Sequence, residues 1–140
     1  MRRWRQFLML DVAERCVILW TLALLPSTVV LLRWRGLAAA RAFLGRIPTF
    51  AGNDLSSTTV ARMVDAAASF VGASCLPRSL VLWRLVSARG AVICLGVAGP
   101  VPEAFAAHAW VELAGRPLND APDVAERYAA FGAAAQGRSA

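Results

Sequence analysis

The chain has 140 residues, which suits one domain, and 58% of them are hydrophobic, which argues against a disordered chain. Its 15 basic residues are all arginine and outnumber nine acidic ones, for a net charge of +6. Such a surface attracts acidic polymers, anionic lipid or an acidic peptide. No zinc spacing, aromatic RNA motif or long basic stripe supports nucleic-acid binding, and the arginines cluster only at Arg2, Arg3 and Arg5 and at Arg33 and Arg35.

The amino terminus begins basic and turns apolar, like a signal peptide. Asp11, Glu14 and Arg15 interrupt it, however, and no A-x-A-like cleavage site follows a compact apolar core. Residues 6–25 have a helical pattern. Pro26 is expected to end or kink that helix, since proline lacks the amide donor and its ring clashes with the preceding turn. A second helix is expected over residues 27–44, with Gly36 a weak point. The uncharged run 16–32 is 17 residues long, the short limit for a membrane span. Two apolar helices buried against the domain, a partner or the membrane surface are the favoured reading. Residues 45–57 are polar and glycine-containing, and make the one convincing linker. They separate an apolar helical segment, 1–48, from a domain over 49–140.

Ser56 or Ser57 can cap the next helix, in which Val60, Met63, Val64, Ala67, Phe70 and Val71 recur on one apolar face and which Gly72 terminates. A further helix begins near Cys75, with Pro77 in its first turn, and runs to about Ser87 before Arg89-Gly90 ends it. Residues 91–97 read as a buried strand. Residues 99–105 are a loop. Residues 106–113 and 116–120 read as two arms of a hairpin. A short helix is expected around 124–131, and residues 133–140 are expected to fray. Helices first and strands after make an α+β arrangement.

Three cysteines occur in three settings, with no CxxC pair and a single histidine. That spacing argues against a Cys/His metal site and against a disulfide framework, so a reducing cytoplasm is the natural compartment. No cofactor is implied. Cys75 stands at a helix start, where free amides and the positive dipole end favour an anion and can bind an oxyanion. His108 lies in an alternating stretch, and Asp120 follows 12 residues later. With Leu113, Ala114 and Gly115 as a three-residue loop and Gly115 left-handed, Glu112 faces Arg116, Trp110 faces Leu118 and His108 faces Asp120. A two-residue turn would send Asp120 to the face opposite His108. The side-chain pairs favour the first register. His108 can then be base and acid toward Cys75, with Asp120 as its orienter. Arg78, Trp110, Asn119 and Cys94 are read as packing or structural residues first.

The segments S-C-L-P-R-S-L-V-L-W-R-L and F-A-A-H-A-W-V-E-L-A-G-R-P-L-N-D resemble the lasso-peptide leader peptidases, the split-off catalytic half of the lasso-peptide B protein. These belong to the transglutaminase-like superfamily, whose Cys…His…Asp order is the order here. The resemblance covers about residues 55–131. It implies a papain-like cysteine peptidase core with the nucleophile helix packed on a small antiparallel sheet. It implies Cys75 as nucleophile, His108 as base and Asp120 as orienter. It also implies a ribosomally made precursor as substrate, cut between leader and core, a separate small recognition protein that binds the leader, and an ATP-dependent lasso cyclase that takes the core. The same triad also serves amide hydrolysis and acyl transfer to amines. Outside enzymology, the alternative is a membrane-associated scaffold whose purpose is its apolar amino terminus.

Overall fold

Asp11 opens the longest element. Its carboxylate accepts the Val12 amide at 2.8 Å and also the Glu14 amide, while the Glu14 carboxylate accepts the Asp11 amide at 3.1 Å; the reciprocal Asp11–Glu14 bonds are a capping box. This fixes the start of α2 (Val12–Arg46) and separates it from α1 (Arg2–Leu8). We describe these elements from a computed structural model, over residues 2–49, 52–98 and 106–131. The expected loop at 99–105 and the expected frayed tail at 133–140 lie outside the described residues.

Pro26, expected to end or kink the helix, does not end it; the break falls at Gly36, the expected weak point and the one residue of α2 with non-helical angles (φ 82°). The physical reason is which side each residue faces. Pro26 is exposed, so the hydrogen bond it removes is lost on the side open to solvent. Leu24, Leu25 and Thr28 are buried on the other side and hold the helix on course. Gly36 has no Cβ to oppose a positive φ. Val30 and Phe43 line one groove, although a straight helix would separate them by about 20 Å. The chain therefore doubles back at Gly36.

Two more helices complete the apolar layer, α3 (Ser57–Phe70) and α4 (Cys75–Val86). Ser56 caps α3 by accepting the Thr59 amide at 3.1 Å. Val60, Met63, Val64 and Ala67 are buried as the periodicity predicts, but Phe70 and Val71 are exposed, because the helix ends there and its last turn overhangs the core. One hydrophobic cluster joins Val17, Leu24, Leu25, Ala40 and Leu44 of α2 to Val60 and Val64 of α3, Leu80 and Val81 of α4, and Ile93 and Val111 of the sheet. The boundary expected at residue 48 falls just after α2. By length and composition α2 can cross a membrane, with a mean hydropathy of 1.9 over its most apolar window, a property it shares with some core helices of soluble proteins.

A 3-10 turn (Ser87–Arg89) and left-handed Gly90 (φ 86°) lead into β1 (Val92–Ala98). It pairs antiparallel with β2 (Ala106–Leu113) in the centre of a four-stranded sheet. The outer strands are β3 (Arg116–Pro117), beside β2, and β4 (Ala129–Phe131), beside β1. The fold is thus α+β with a small antiparallel sheet, as expected. The tail differs in detail: α5 is only Val124–Arg127, and the residues after it form β4, a strand with no sequence signal strong enough to separate it from a helix end.

The hairpin register is the main correction. Leu113 pairs with Arg116 and Glu112 with Pro117, so the turn has two residues, Ala114 and Gly115. Both have positive φ, 51° and 77°, the primed turn whose twist matches the flanking strands. The turn geometry outweighs the Glu112–Arg116 and Trp110–Leu118 pairs that favoured a three-residue loop. Ala114 is the strained member, since an L-residue with a Cβ pays about 1–2 kcal/mol in left-handed conformation. Ala114→Asn, which tolerates that conformation, is therefore expected to raise stability by about 1 kcal/mol. Thermal unfolding checks this, and a lowered midpoint would contradict the turn assignment.

Candidate active site

By the register of the two-residue turn, Asp120 would oppose Ala109 and face away from His108. It does not, because β3 stops after Pro117. Leu118 makes one more ladder bond, its amide to the Val111 carbonyl at 2.8 Å, and then the chain leaves the sheet. Two groups on the edge of β2 lose their strand partner: the amide of Val111 and the carbonyl of Ala109. Side chains replace it. Asn119 Oδ1 accepts from the Val111 amide at 2.8 Å, and the hydroxyl of Ser79, fully buried on α4, donates to the Ala109 carbonyl at 3.0 Å. Asn119 Nδ2 donates to that same hydroxyl at 3.0 Å.

These bonds bring three segments to one point. Ser79 lies one turn beyond Cys75, Ala109 follows His108, and Asn119 precedes Asp120. With the ladder ended, Asp120 turns back and its Oδ2 meets His108 Nε2. The expected His108–Asp120 contact is present, for a different reason from the one the spacing suggested. A cleft of about 270 Å³ is lined by Ala73, Ser74, Cys75, Arg78, His108, Ala109, Asn119 and Asp120. All three expected site residues therefore share one cavity.

Cys75 is half-buried and is the first residue of α4. Ser74 gives no side-chain cap, and the first helical amide bond runs from Arg78 to the Ser74 carbonyl at 3.3 Å. Pro77 has no amide hydrogen. The amides of Cys75 and Leu76 thus precede the helical ladder, at the end of the helix dipole that favours negative charge. Arg78 donates to Asp65 of α3 at 2.6 Å and to the Ala73 carbonyl at 3.2 Å, so it braces the start of α4.

Asp120 is held on every side. Its Oδ1 accepts the Ala121 amide at 2.7 Å and lies 3.3 Å from the Arg127 guanidinium. Burial alone would raise its pKa, but the His108 hydrogen bond, the Ala121 amide and the charges of His108 and Arg127 together carry it below its usual value. An ionised carboxylate can only accept, so the proton between them belongs to His108 Nε2. The imidazole packs against Tyr128 with centroids 4.8 Å apart, and Trp110 lies beyond at 6.1 Å. Trp110 is fully buried and donates to Glu112 at 2.9 Å, and Cys94 is fully buried beside it, so both have the packing roles expected. Among the described residues no cluster of three or more His, Cys, Asp or Glu side chains could hold a metal ion.

The family model of the transglutaminase-like superfamily matches residues 22–132. The chain belongs to the transglutaminase-like superfamily. That superfamily is generally one of cysteine-dependent enzymes and includes cysteine peptidases and acyltransferases. The match begins inside α2 and takes in its residues 22–46. No curated protein and no solved structure matches the chain.

Sequence reasoning missed Ser79, Asn119, Arg127 and Tyr128 as residues that build this site. Asn119, beside Asp120, is the available signal, although strand parity alone places it on the face opposite His108. Asn119→Ala leaves the Val111 amide and the Ser79 hydroxyl short of a partner, and is expected to cost about 1–3 kcal/mol, measured as a shift in the urea unfolding midpoint. The carboxylate of Asp120, with its lowered pKa, stabilises the fold fully above about pH 4, and that contribution disappears as pH falls through the folded value. Between those limits the parent and Asp120→Asn unfolding midpoints are expected to converge as pH is lowered. A gap that stays constant would refute the ionised pairing.

Proposed function

We propose that this protein is a cysteine peptidase that removes the leader from a ribosomally synthesised lasso precursor peptide. The observation that carries the reading is the cleft in which Cys75, at the start of α4, shares a wall with the His108–Asp120 pair. The likeness of residues 74–85 and 105–120 to the leader peptidases supplies the substrate class.

In this mechanism His108 Nδ1 takes the proton of the Cys75 thiol, while Asp120 keeps Nε2 protonated and the ring oriented. The Cys75 sulfur attacks the carbonyl carbon of the peptide bond between leader and core. The amides of Cys75 and Leu76, free of the helical ladder, can donate to the oxyanion that forms. His108 then gives its proton to the core nitrogen, the carbon–nitrogen bond breaks, and the leader remains as a thioester on Cys75. Water, deprotonated by His108, attacks the thioester and releases the leader carboxylate and the free thiol. The core leaves with a free amino group, the group an ATP-dependent lasso cyclase would use. A separate leader-recognition protein would deliver the precursor. If an amine replaced water in the second half-reaction, the same acyl-enzyme would give a transamidated product.

The test is reconstitution of the full chain with a precursor and its recognition protein, followed by mass spectrometry. A leader acid and an intact core amine are expected. Cys75→Ala is expected to lower the rate by about 10³-fold or more. Retained cleavage in that variant would exclude the mechanism, and an amine-adducted leader would favour acyl transfer.

A further inference from the structure

α2 is apolar on two opposite sides, and only one of them is used by the fold. Val17, Thr21, Leu24 and Thr28 form the buried stripe against the core. At the opposite side Val12, Cys16, Leu19, Ala23, Pro26, Val30 and Trp34 recur at steps of three and four, and every one is exposed. Trp34 is 77% exposed and Leu19 57%. Such a stripe spans roughly 33 Å at 1.5 Å per residue. A helix apolar all round is normally buried on all sides or lies in lipid. A contiguous exposed apolar stretch of this length marks an interaction surface.

The charge of the chain identifies what fits there. Residues 1–53 hold eight arginines and two acidic residues, while residues 54–140 hold seven of each. The whole net charge of +6 therefore belongs to the segment that carries the exposed stripe. From residue 15 to residue 53 there are five arginines and no acidic residue. Exposed Arg2 and Arg5 lie before one end of the stripe, and exposed Arg33 and Arg35 flank Trp34 at the other. An apolar face with arginines at both ends complements the acyl and headgroup layers of an anionic bilayer.

We propose that the outer face of α2 docks on the surface of an anionic lipid bilayer, with Leu19, Pro26, Val30 and Trp34 at the acyl boundary and Arg33 and Arg35 among the headgroups. The helix lies on the membrane and does not cross it. Its inner stripe is packed against α3 and α4, and residues 40 and 44 return to the same core beyond Gly36, so lipid reaches one side only. The groove between Pro26, Val30 and Phe43 faces the same layer and gives an acyl chain a place to insert.

Cosedimentation of the full chain with phosphatidylcholine vesicles, with and without phosphatidylglycerol, tests this. Binding is expected only with phosphatidylglycerol, weakened by salt. Arg33→Gln with Arg35→Gln is expected to weaken it by about tenfold or more. Val30→Asp and Trp34→Ser are each expected to abolish it while circular dichroism and thermal unfolding stay near those of the parent chain, because both side chains are exposed. Cys75→Ala is expected to bind as the parent does, so a failure of the proposed chemistry leaves this result untouched. Absence of binding to any vesicle would overturn the proposal. So would retention in neutral vesicles after alkaline extraction, the behaviour of a spanning helix. So would a dimer in lipid-free solution that Val30→Asp dissociates, since a second copy would then cover the stripe.

Discussion

The candidate site depends on one small set of hydrogen bonds, those that Ser79 and Asn119 make to the open edge of β2. Where β3 ends, an amide and a carbonyl are left without a strand, and a buried group in that state costs about 1–3 kcal/mol. Asn119 and Ser79 satisfy both and join each other. The same bonds tie α4, β2 and the β3–α5 loop at the residues next to Cys75, His108 and Asp120. The strand edge that must be satisfied for stability is thus the edge on which the three side chains converge. A longer β3 would supply conventional ladder bonds and carry Asp120 to the wrong face. The shortness of that strand is what makes the cleft.

The sequence names three candidate residues that the structure gathers in one cleft, and it leaves their geometry open. Cys75 could be read because a helix start has definite markers, Pro77 in the first turn and apolar spacing after it. The His108–Asp120 contact could be named, but the register argument behind it weighed cross-strand pairs worth a few tenths of a kcal/mol each against a turn. The primed turn at Ala114 and Gly115 won, even with a left-handed alanine. Parity arguments also assume that a strand continues, and nothing in R-P-L-N-D states where pairing ends. Pro117 marks β3 as an edge strand, but it does not say where pairing ends, since Leu118 still bonds to Val111 beyond it.

In the amino-terminal half the break falls at Gly36 and not at Pro26 for a related reason. Pro26 is a strong breaker on propensity, yet a proline on the exposed side of a helix removes one hydrogen bond where loss matters least. Gly36 is weaker by propensity and stronger in context, because the chain must reverse there to return Ala40 and Leu44 to the core. Propensity ranks residues by type; the side of the helix on which each one sits decides the outcome, and that side is set by contacts with α3 and α4, which the local sequence does not contain.

The short helix α5 acts on the imidazole through its end: Arg127 reaches Asp120, and Tyr128, its C-cap, packs on the ring. Val124, fully buried against Trp110 and Cys94, anchors α5 to the sheet face that carries His108. From that anchor Arg127 reaches Asp120 and Asp123, each at 3.3 Å, and Tyr128 packs on the His108 ring. Arg127 has two carboxylates within reach and so neutralises part of the charge that burial would otherwise oppose on Asp120. Tyr128 limits how far the ring can tilt. Its neighbours in β4 pair with β1, and Gly96 must lack a side chain there, because a Cβ would lie 2.9 Å from that of Tyr128. The orientation of the one histidine therefore rests on β1, β4 and α5 together, although none of the three contributes Cys75, His108 or Asp120.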